Sequence, residues 1–317
     1  MDAYKHFIHQ SRYARYNPAE GRRETWEETV KRYCDFWKEK YPDSFPYQEV
    51  YDAIYNMEAM PSMRALMTAG KALDRDNMAG FNCSFVAVDD VRAFDEILYI
   101  LMCGTGVGFT VERQDIAKLP CVAEEFHQSD TVIVVRDSKI GWATALREYI
   151  AMLYGGKIPQ VDTSKLRPEG APLKTFGGRS SGPEPLRKML AEITRIFKKA
   201  AGRKLNSVEC HDIVCIIASC VVVGGVRRSA LISLSNLSDE RMRNAKNGKW
   251  WEDNGQRALA NNSVAYTEKP DIGVFMQEWH SLYESKSGER GIFNRVAAEK
   301  KAAENGRRLL GFDWGTN

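Results

Sequence analysis

The sequence predicts an α/β fold, because strand-like and helix-like patterns alternate along it. Residues 82–88 (NCSFVAV) alternate apolar and small side chains as a β-strand does, and the apolar stretch from Ala93 to Cys103 has the length of a helix. Residues 104–111 (GTGVGFTV) return to a strand-like pattern rich in β-branched residues. A strand, a helix and a second strand in this order predict a βαβ unit.

The carboxy-terminal part of the chain continues this alternation. A nearly all-apolar helix is predicted over 209–223 and a strand over 229–235. A further strand over 262–266 and a helix over 272–285 follow. The same fold class is therefore predicted on both sides of the middle of the chain.

The first 60 residues are predicted to be helical. Apolar side chains recur there at three- and four-residue spacing, at Trp26, Val30, Tyr33 and Trp37. Thr25 and Glu28 have the spacing of a capping box at the start of that helix. A second helix is predicted over 47–60 and ends before a proline, which disfavours helical geometry in the preceding residue. The remainder, 61–317, is the α/β region.

Composition limits the classes of protein that fit. The 317 residues are 44% hydrophobic and 27% charged, which is typical of a globular chain, and no apolar run approaches the roughly 20 residues of a membrane span. A net charge of +3 gives no general reason to expect a nucleic-acid partner. The first ten residues lack the pattern of a secretory signal, so a cytoplasmic location is expected. Seven scattered cysteines are expected to be thiols in a reducing compartment.

The glycines at 104, 106 and 108 resemble a dinucleotide-binding loop only superficially. That loop has the spacing GxGxxG and runs from a strand into a helix, whereas these glycines leave a helix and enter a strand. Close packing between helix and strand explains them better. An NAD-dependent oxidoreductase, the third functional hypothesis, also lacks an acidic residue at the end of the following strand.

Two loops have the composition of phosphate-binding segments. Gly224 and Gly225 allow a sharp turn, and the adjacent Arg227 and Arg228 could clamp a phosphate or stack on a base. The long loop over 163–185 carries Arg167, Lys174 and Arg179 among glycines and serines. Two such loops in one chain favour a nucleotide ligand.

No metal site is predicted. Cys210, Cys215 and Cys220 recur every five residues, which scatters them around a helix and matches no tetrahedral ligand pattern. The five histidines do not cluster, and solvated or core positions are expected for them.

An ordered set of motifs carries a family resemblance. The chain resembles the adenosylcobalamin-dependent (class II) ribonucleotide reductases, most closely their monomeric, triphosphate-reducing branch, over nearly its whole length. The motifs are SRYARY, RRETWEETVKRY, MPSMRALMTAG, NCSFVAVDD, MCGTGVGFTVER, VRDSKIGW, LRPEGAPLKTFGGRSSGP, ECHDIVC, VVVGGVRRSALISLSN, ANNSVAY and the closing DWGTN. Residues 113–161 resemble the insertion that stands in this branch for a second subunit.

The resemblance implies an oxidoreductase that makes deoxyribonucleotides for DNA replication by radical chemistry. It implies the first half of a ten-stranded α/β barrel, while the radical cysteine, its glutamate partner and the terminal cysteine pair lie beyond Asn317. Cys83 matches one cysteine of the reducing dithiol, and Asn317 matches an asparagine at the ribose hydroxyls. Ser62 and Asn82 fall where the family contacts substrate. The implied partners are a ribonucleotide, a complementary carboxy-terminal fragment and a thioredoxin-like reductant.

The resemblance also implies allosteric control by a deoxynucleotide effector. Asp137 and Ser138 match an effector ribose contact, and Arg167 and Lys174 lie on the first specificity loop. The segment with Gly224, Gly225, Arg227 and Arg228 matches the second loop, which links effector to substrate base. Asp90 is the alternative to Asp137, and its use would favour a dimer.

Two alternatives remain open at this stage. The chain could be a nucleotide-binding module that keeps the effector loops and has lost catalysis, although that role would not need Cys83 or Asn317. An iron-dependent radical generator could replace adenosylcobalamin, because the barrel residues are similar across the reductase classes.

Overall fold

The computed structural model of the protein describes residues 2–173, 179–221, 230–304 and 306. Over these residues the chain forms two compact units. The first unit comprises 2–82 with 171–173 and 179–180, and the second comprises the other described residues. The predicted division of the chain at residue 60 remains a prediction. No helix in the described ranges is long and apolar enough to cross a membrane.

The first unit is mainly helical. Its α-helices and strands are α1 (Ala3–Ile8), β1 (Tyr16–Asn17), β2 (Arg22–Arg23), α2 (Trp26–Lys40), α3 (Tyr47–Tyr55), α4 (Met63–Thr68) and α5 (Lys71–Arg75). A π-helical turn covers His9–Tyr13, and a 3-10 turn covers Asn77–Gly80. The predicted capping box at α2 is present, with Thr25 accepting from Glu28 N and Glu28 accepting from Thr25 N. α3 is shorter than the predicted 47–60, because Met57 adopts a left-handed backbone with φ 62°.

Helix α2 organises the core of this unit. Val30 and Cys34 pack with Ile54 of α3 on one side of the helix. Phe36 packs with Ala69 and Leu73 on another side. The apolar spacing of the sequence therefore produces a helix with two buried contacts.

The second unit is built around parallel strands and crossover helices. Its first elements are β3 (Cys83–Ala87), α6 (Ala93–Met102), β4 (Gly106–Thr110), α7 (Arg113–Ile116), β5 (His127–Val134), α8 (Lys139–Tyr154), β6 (Lys157–Asp162), α9 (Glu184–Lys199) and α10 (Ser207–Val221). Its later elements are β7 (Leu231–Asn236), α11 (Glu240–Arg243), α12 (Trp250–Asp253), β8 (Ala260–Tyr266), α13 (Ile272–Ser285), β9 (Gly291–Asn294) and α14 (Arg295–Glu304), with a 3-10 turn at Gly255–Leu259. The predicted α/β class is confirmed.

The main sheet of this unit has five parallel strands in the order β3-β4-β7-β8-β9. Side chains on one face of the sheet are buried: Phe109, Asn262 and Val264 lie at 0–2% exposure. Helix α10 covers this face, because His211 contacts the ring of Phe109 and hydrogen-bonds to Asn262. The helices thus shield one face of the sheet completely at its centre.

The opposite face is exposed where its strands begin. The register places Cys83 beside Gly106, Gly108 beside Ile232, and Ile232 beside Asn261. Cys83, Ile232 and Asn261 are all exposed, whereas residues near the carboxyl ends of the same face are buried. Parallel sheets in globular proteins are normally covered on both faces. A binding site or a partner surface is therefore expected on this face.

A separate two-stranded parallel sheet joins β5 and β6. Helix α8 is the crossover between these strands, and Gly156 forms the turn between α8 and β6. α9 follows the long loop that the sequence marks with glycine and proline. This region forms a second βαβ unit outside the main sheet.

Candidate functional site

Cys83 is the first residue of β3 and lies on the exposed sheet face. Its strand neighbour in the register is Gly106 on β4, so no side chain from that position stands beside the thiol. Ser84, the next residue, points to the other face and donates to the Gly106 carbonyl at 3.0 Å. The cysteine is thus carried on an edge strand that is hydrogen-bonded to β4, with its side chain on the accessible face.

The glycines that precede and form β4 have structural explanations. Gly104 follows the end of α6 with φ 78°, a left-handed conformation that suits glycine, and donates to the Leu101 carbonyl at 2.8 Å. A Cβ at Gly108 would lie 3.2 Å from the ring of Phe85. These glycines leave a helix and enter a strand, as the sequence predicts, and the close contact at Gly108 is with the neighbouring strand β3.

A buried polar network lies beneath the opposite face. His211 on α10 is fully buried and contacts Asn262 Oδ1 on β8 at 2.8 Å. Its neighbour Asp212 accepts two hydrogen bonds from Arg257, both 2.7 Å long. Burial alone would raise the pKa of Asp212, but the Arg257 hydrogen bonds and charge hold it below its usual range. Of the solvated and core positions expected for the histidines, His211 has the core one. The network was missed because its members are up to 51 residues apart.

A second charged network fixes α13. Glu278 binds Arg290 through both carboxylate oxygens, at 2.6 and 2.9 Å, and also accepts from Arg243 at 2.8 Å. Burial would raise the pKa of Glu278, but the hydrogen bonds from Arg290 and Arg243 lower it. Both arginines also donate to the Leu237 carbonyl just after β7. Nothing in the local sequence pattern signals this cluster.

The structure brings together two of the predicted effector residues. Arg167 Nε donates to both carboxylate oxygens of Asp137, at 2.8 and 3.1 Å, and both side chains are about one-third exposed. Ser138 is the N-cap of α8 and accepts from Gly141 N at 3.0 Å. Asp137 and Arg167 are therefore adjacent and solvent-accessible, while the Ser138 hydroxyl already caps a helix.

The other described candidates have local structural roles. Asp90 accepts from Arg92 N at 2.8 Å in the turn before α6. Ser62 is exposed and caps α4, accepting from Ala65 N at 3.4 Å. Asn82 is exposed and directly precedes Cys83 in the chain. Lys174, Gly224, Gly225, Arg227, Arg228 and Asn317 lie outside the described residues.

The three cysteines of α10 are buried: Cys210, Cys215 and Cys220 are at most 4% exposed. Among the described residues no group of three or more His, Cys, Asp or Glu side chains could hold a metal ion. A cavity of about 620 Å³ opens at the carboxyl ends of β7 and β8. Its wall includes Asn236, Arg243 and Tyr266.

Comparisons with known proteins agree with these features. Residues 113–197 match the family described as "B12-dependent ribonucleotide reductase, insertion domain". This match extends well past residue 161, where the insertion was expected to end. The region that it covers includes β5, α8, β6 and most of α9.

Whole-protein relatives extend the match. The adenosylcobalamin-dependent ribonucleoside-triphosphate reductase of Lacticaseibacillus paracasei is 29% identical and covers 92% of this chain but only 49% of its own length. The reductase of the same description from Lactobacillus delbrueckii subsp. bulgaricus is 30% identical over 72% of this chain and 40% of its own length. A crystal structure of a B12-dependent (class II) ribonucleotide reductase aligns with TM-score 0.68 and 26% identity, covering 82% of this chain and 45% of that one.

The matching insertion domain, the relatives and the solved structure together define the class of protein as a ribonucleotide reductase. The chain belongs to the B12-dependent (class II) family of these enzymes. It spans about half the length of the curated relatives that it matches.

Proposed function

We propose that this chain supplies the first half of an adenosylcobalamin-dependent ribonucleotide reductase and acts with a polypeptide that supplies the second half. The relatives it matches are described as ribonucleoside-triphosphate reductases, so triphosphates are the proposed substrates. The five parallel strands then form half of a ten-stranded barrel. A cytoplasmic location and a thioredoxin-like reductant belong to the same proposal.

The observation that carries this proposal is the position of Cys83. Its side chain lies on an accessible region of the parallel sheet, at the amino-terminal end of a strand. Gly106, beside it in the register, leaves space for a substrate sugar to approach. A purely structural cysteine would be expected in the interior, as at Cys210 and Cys215.

The proposed chemistry of Cys83 balances with one partner thiol. Replacing the 2′ hydroxyl of the ribose by hydrogen releases water and consumes two electrons and two protons. Cys83 and a second cysteine from the completing polypeptide supply both and become a disulfide, which the thioredoxin-like reductant then returns to two thiols. Asn317, Asn82 and Ser62 are proposed to bind the substrate ribose or phosphates.

Adenosylcobalamin, when bound, supplies the radical by homolysis of its cobalt–carbon bond. The residues of this chain described above fit the nucleotide substrate and effector, and none is assigned to the corrin. These residues are proposed to position the ribose, to deliver a hydrogen from the Cys83 thiol and to exclude water from the face that the completing polypeptide covers.

Effector binding is proposed at the Asp137–Arg167 pair. A ribose hydroxyl donates well to a carboxylate, and a guanidinium binds phosphate. Asp137 could therefore bind the sugar of a deoxynucleotide, and Arg167 could bind its phosphates. The two side chains bind each other at 2.8 Å here, and an effector would replace that ion pair with its own contacts. Lys174 is proposed as a further phosphate contact, and Gly224, Gly225, Arg227 and Arg228 as the loop that relays the effector to the substrate.

The test is co-expression with a polypeptide from the same genome that carries the radical cysteine, its glutamate partner and the terminal cysteine pair. The pair is assayed for deoxynucleotide formation with adenosylcobalamin, a dithiol and each deoxynucleotide effector. We expect turnover by the pair and none by either polypeptide alone. Cys83→Ser should abolish turnover, because one electron donor is lost, while leaving association of the pair unchanged.

A matched control is Cys121→Ser, since Cys121 is the other exposed cysteine. It should keep at least half of the wild-type rate. Effector binding without turnover by the wild-type pair would instead support the nucleotide-binding module. Turnover that survives Cys83→Ser would remove Cys83 from the reducing dithiol.

A further inference from the structure

Helix α13 exposes the side chains that helices normally bury. Among its residues only Glu278 is buried, and that glutamate is held by Arg243 and Arg290. Four large apolar residues are mostly exposed: Ile272 at 72%, Met276 at 52%, Trp279 at 51% and Tyr283 at 64%. The helix is thus attached to the sheet by an ion-pair cluster, while a large apolar surface remains in solvent.

These four residues, Ile272, Met276, Trp279 and Tyr283, form a single stripe, which we call the α13 stripe. Their spacing of four, three and four keeps them within about 60° of one another at roughly 100° per residue. This is the spacing at which one helix receives another along its length. The four-residue pattern therefore fits packing of an apolar helix against the α13 stripe. A single exposed apolar side chain would not form such a pattern.

The angular position of the α13 stripe around the helix axis shows which side of the helix it occupies. The half-buried Phe275 and Leu282 and the buried Glu278 mark the side of α13 that faces the sheet. Counting roughly 100° per residue, the stripe lies about 90° away from that side, and the polar His280 and Glu284 lie on the outward side. The stripe is consequently the flank of the helix, where a neighbouring crossover helix packs in an α/β protein.

The position of α13 in the fold indicates what occupies that flank. α13 connects β8 to β9, and β9 is an edge strand of the five-stranded sheet in the described residues. Ile292 on β9 and Val296 just after it are also more than half exposed. A polypeptide that continued the sheet beyond β9 would place its own helix beside α13.

The size of the stripe argues against a second copy of this chain as the occupant. Four side chains of this exposure present about 500 Å², taking about 150–250 Å² for each large side chain. A stable interface buries about 800 Å² on each partner. The stripe alone is therefore too small for a stable dimer, whereas a partner that also pairs with the β9 edge covers both surfaces.

We infer that the α13 stripe is the docking surface for an apolar helix of the completing polypeptide. This inference rests on the proposed function, because the chain spans only about half the length of its relatives. The inference adds a second contact surface between the two polypeptides, separate from the sheet face that carries Cys83. Trp279, near the middle of the stripe, is expected to contribute most of the binding free energy, as buried tryptophans do at interfaces.

The experiment measures association of the purified chain with the purified completing polypeptide by isothermal titration calorimetry. Trp279→Glu should weaken the affinity at least tenfold. The matched control, His280→Glu, places the same charge on the outward side of the same helix and should change the affinity less than twofold. Circular dichroism of both variants checks that the chain remains folded, and Met276→Glu provides a second stripe variant if Trp279→Glu does not fold.

The outcomes separate this inference from the proposed function. Equal affinities for Trp279→Glu and wild type, with an active wild-type pair, would overturn the docking surface and leave the function standing. Absence of binding by the wild-type pair would overturn both. Sedimentation showing that the chain alone forms a dimer that Trp279→Glu dissociates would assign the stripe to a second copy instead.

Discussion

Asp212 and Arg257 illustrate how single residues fix the scaffold under the candidate site. The carboxylate is 12% exposed, and the guanidinium meets it with two parallel hydrogen bonds of 2.7 Å. A buried charge is tolerated only with such a partner, because its removal from water is costly. The pair joins α10 to the 3-10 turn before β8, so it holds the helix that covers the sheet.

Arg257→Ala should therefore lower the free energy of unfolding by about 3–5 kcal/mol at neutral pH, since it leaves the buried Asp212 without its guanidinium partner. The fold lowers the pKa of Asp212, so the pair stabilises the protein above the unfolded value near 3.8 and stops doing so as pH falls through the folded value. In the variant, burial raises the pKa of Asp212. The deficit should thus shrink between about pH 7 and pH 4 in urea titrations.

The control for this experiment is Arg92→Ala, which removes an exposed pair with Glu96 at 3.7 Å. Exposed pairs contribute about 0–1 kcal/mol, so this variant should unfold close to wild type. Asp212→Asn combined with Arg257→Ala should recover part of the lost stability. A deficit that is the same at both pH values would show that lost packing, and not the buried charge, dominates.

At the scale of elements, one glycine determines how α8 turns into β6. Gly156 adopts φ 72°, and a Cβ there would lie 2.4 Å from the carbonyl oxygen of Glu125. Its own carbonyl accepts from His127 N at the start of β5 at 2.9 Å. The turn therefore needs both a left-handed backbone and the space of a missing side chain.

Gly156→Ala should destabilise the chain through two separable effects. A left-handed alanine costs about 1–2 kcal/mol, and forcing the Cβ against a backbone carbonyl adds about 1–3 kcal/mol. Gly248→Ala is the matched control, because Gly248 has φ 62° but nothing lies within 4 Å of its Cβ position. Chemical unfolding should show the larger loss at Gly156, and equal losses would remove the steric part of the explanation.

Local patterns were sufficient to predict the regular elements near the sheet. The capping box and apolar spacing of α2, and the strand, helix and strand from β3 to β4, follow from neighbours a few residues apart. β6 was missed because Pro159 interrupts its pattern, and β9 was missed because it has only four residues. β9 forms only through pairing with β8, a contact between segments that are 28 residues apart in the register.

At the scale of the whole molecule, sequence motifs identified candidate site residues, whereas the packing around those residues could not be predicted. Cys83 was predicted through the motif around it, and Asp137 and Arg167 through theirs, and the last two are adjacent in the structure. Which sheet face is exposed could not be predicted, since it depends on where α10 packs. That exposed face is also the reason to expect that the isolated chain associates readily with other surfaces.

The exposed face gives a test of assembly that needs no catalysis. Cys83 and Cys121 are the two exposed cysteines, and the other five are buried. Cys83 lies on the sheet face proposed to be covered by the completing polypeptide, whereas Cys121 lies in the loop before β5. Adding that polypeptide should slow alkylation of Cys83 by iodoacetamide at least tenfold, because a covered thiol reacts only when the complex opens. Cys121 should keep its rate, measured by mass spectrometry of the labelled peptides.

Equal protection of both thiols would indicate general aggregation. Protection of neither thiol, in a pair that associates, would place the completing polypeptide elsewhere on the chain.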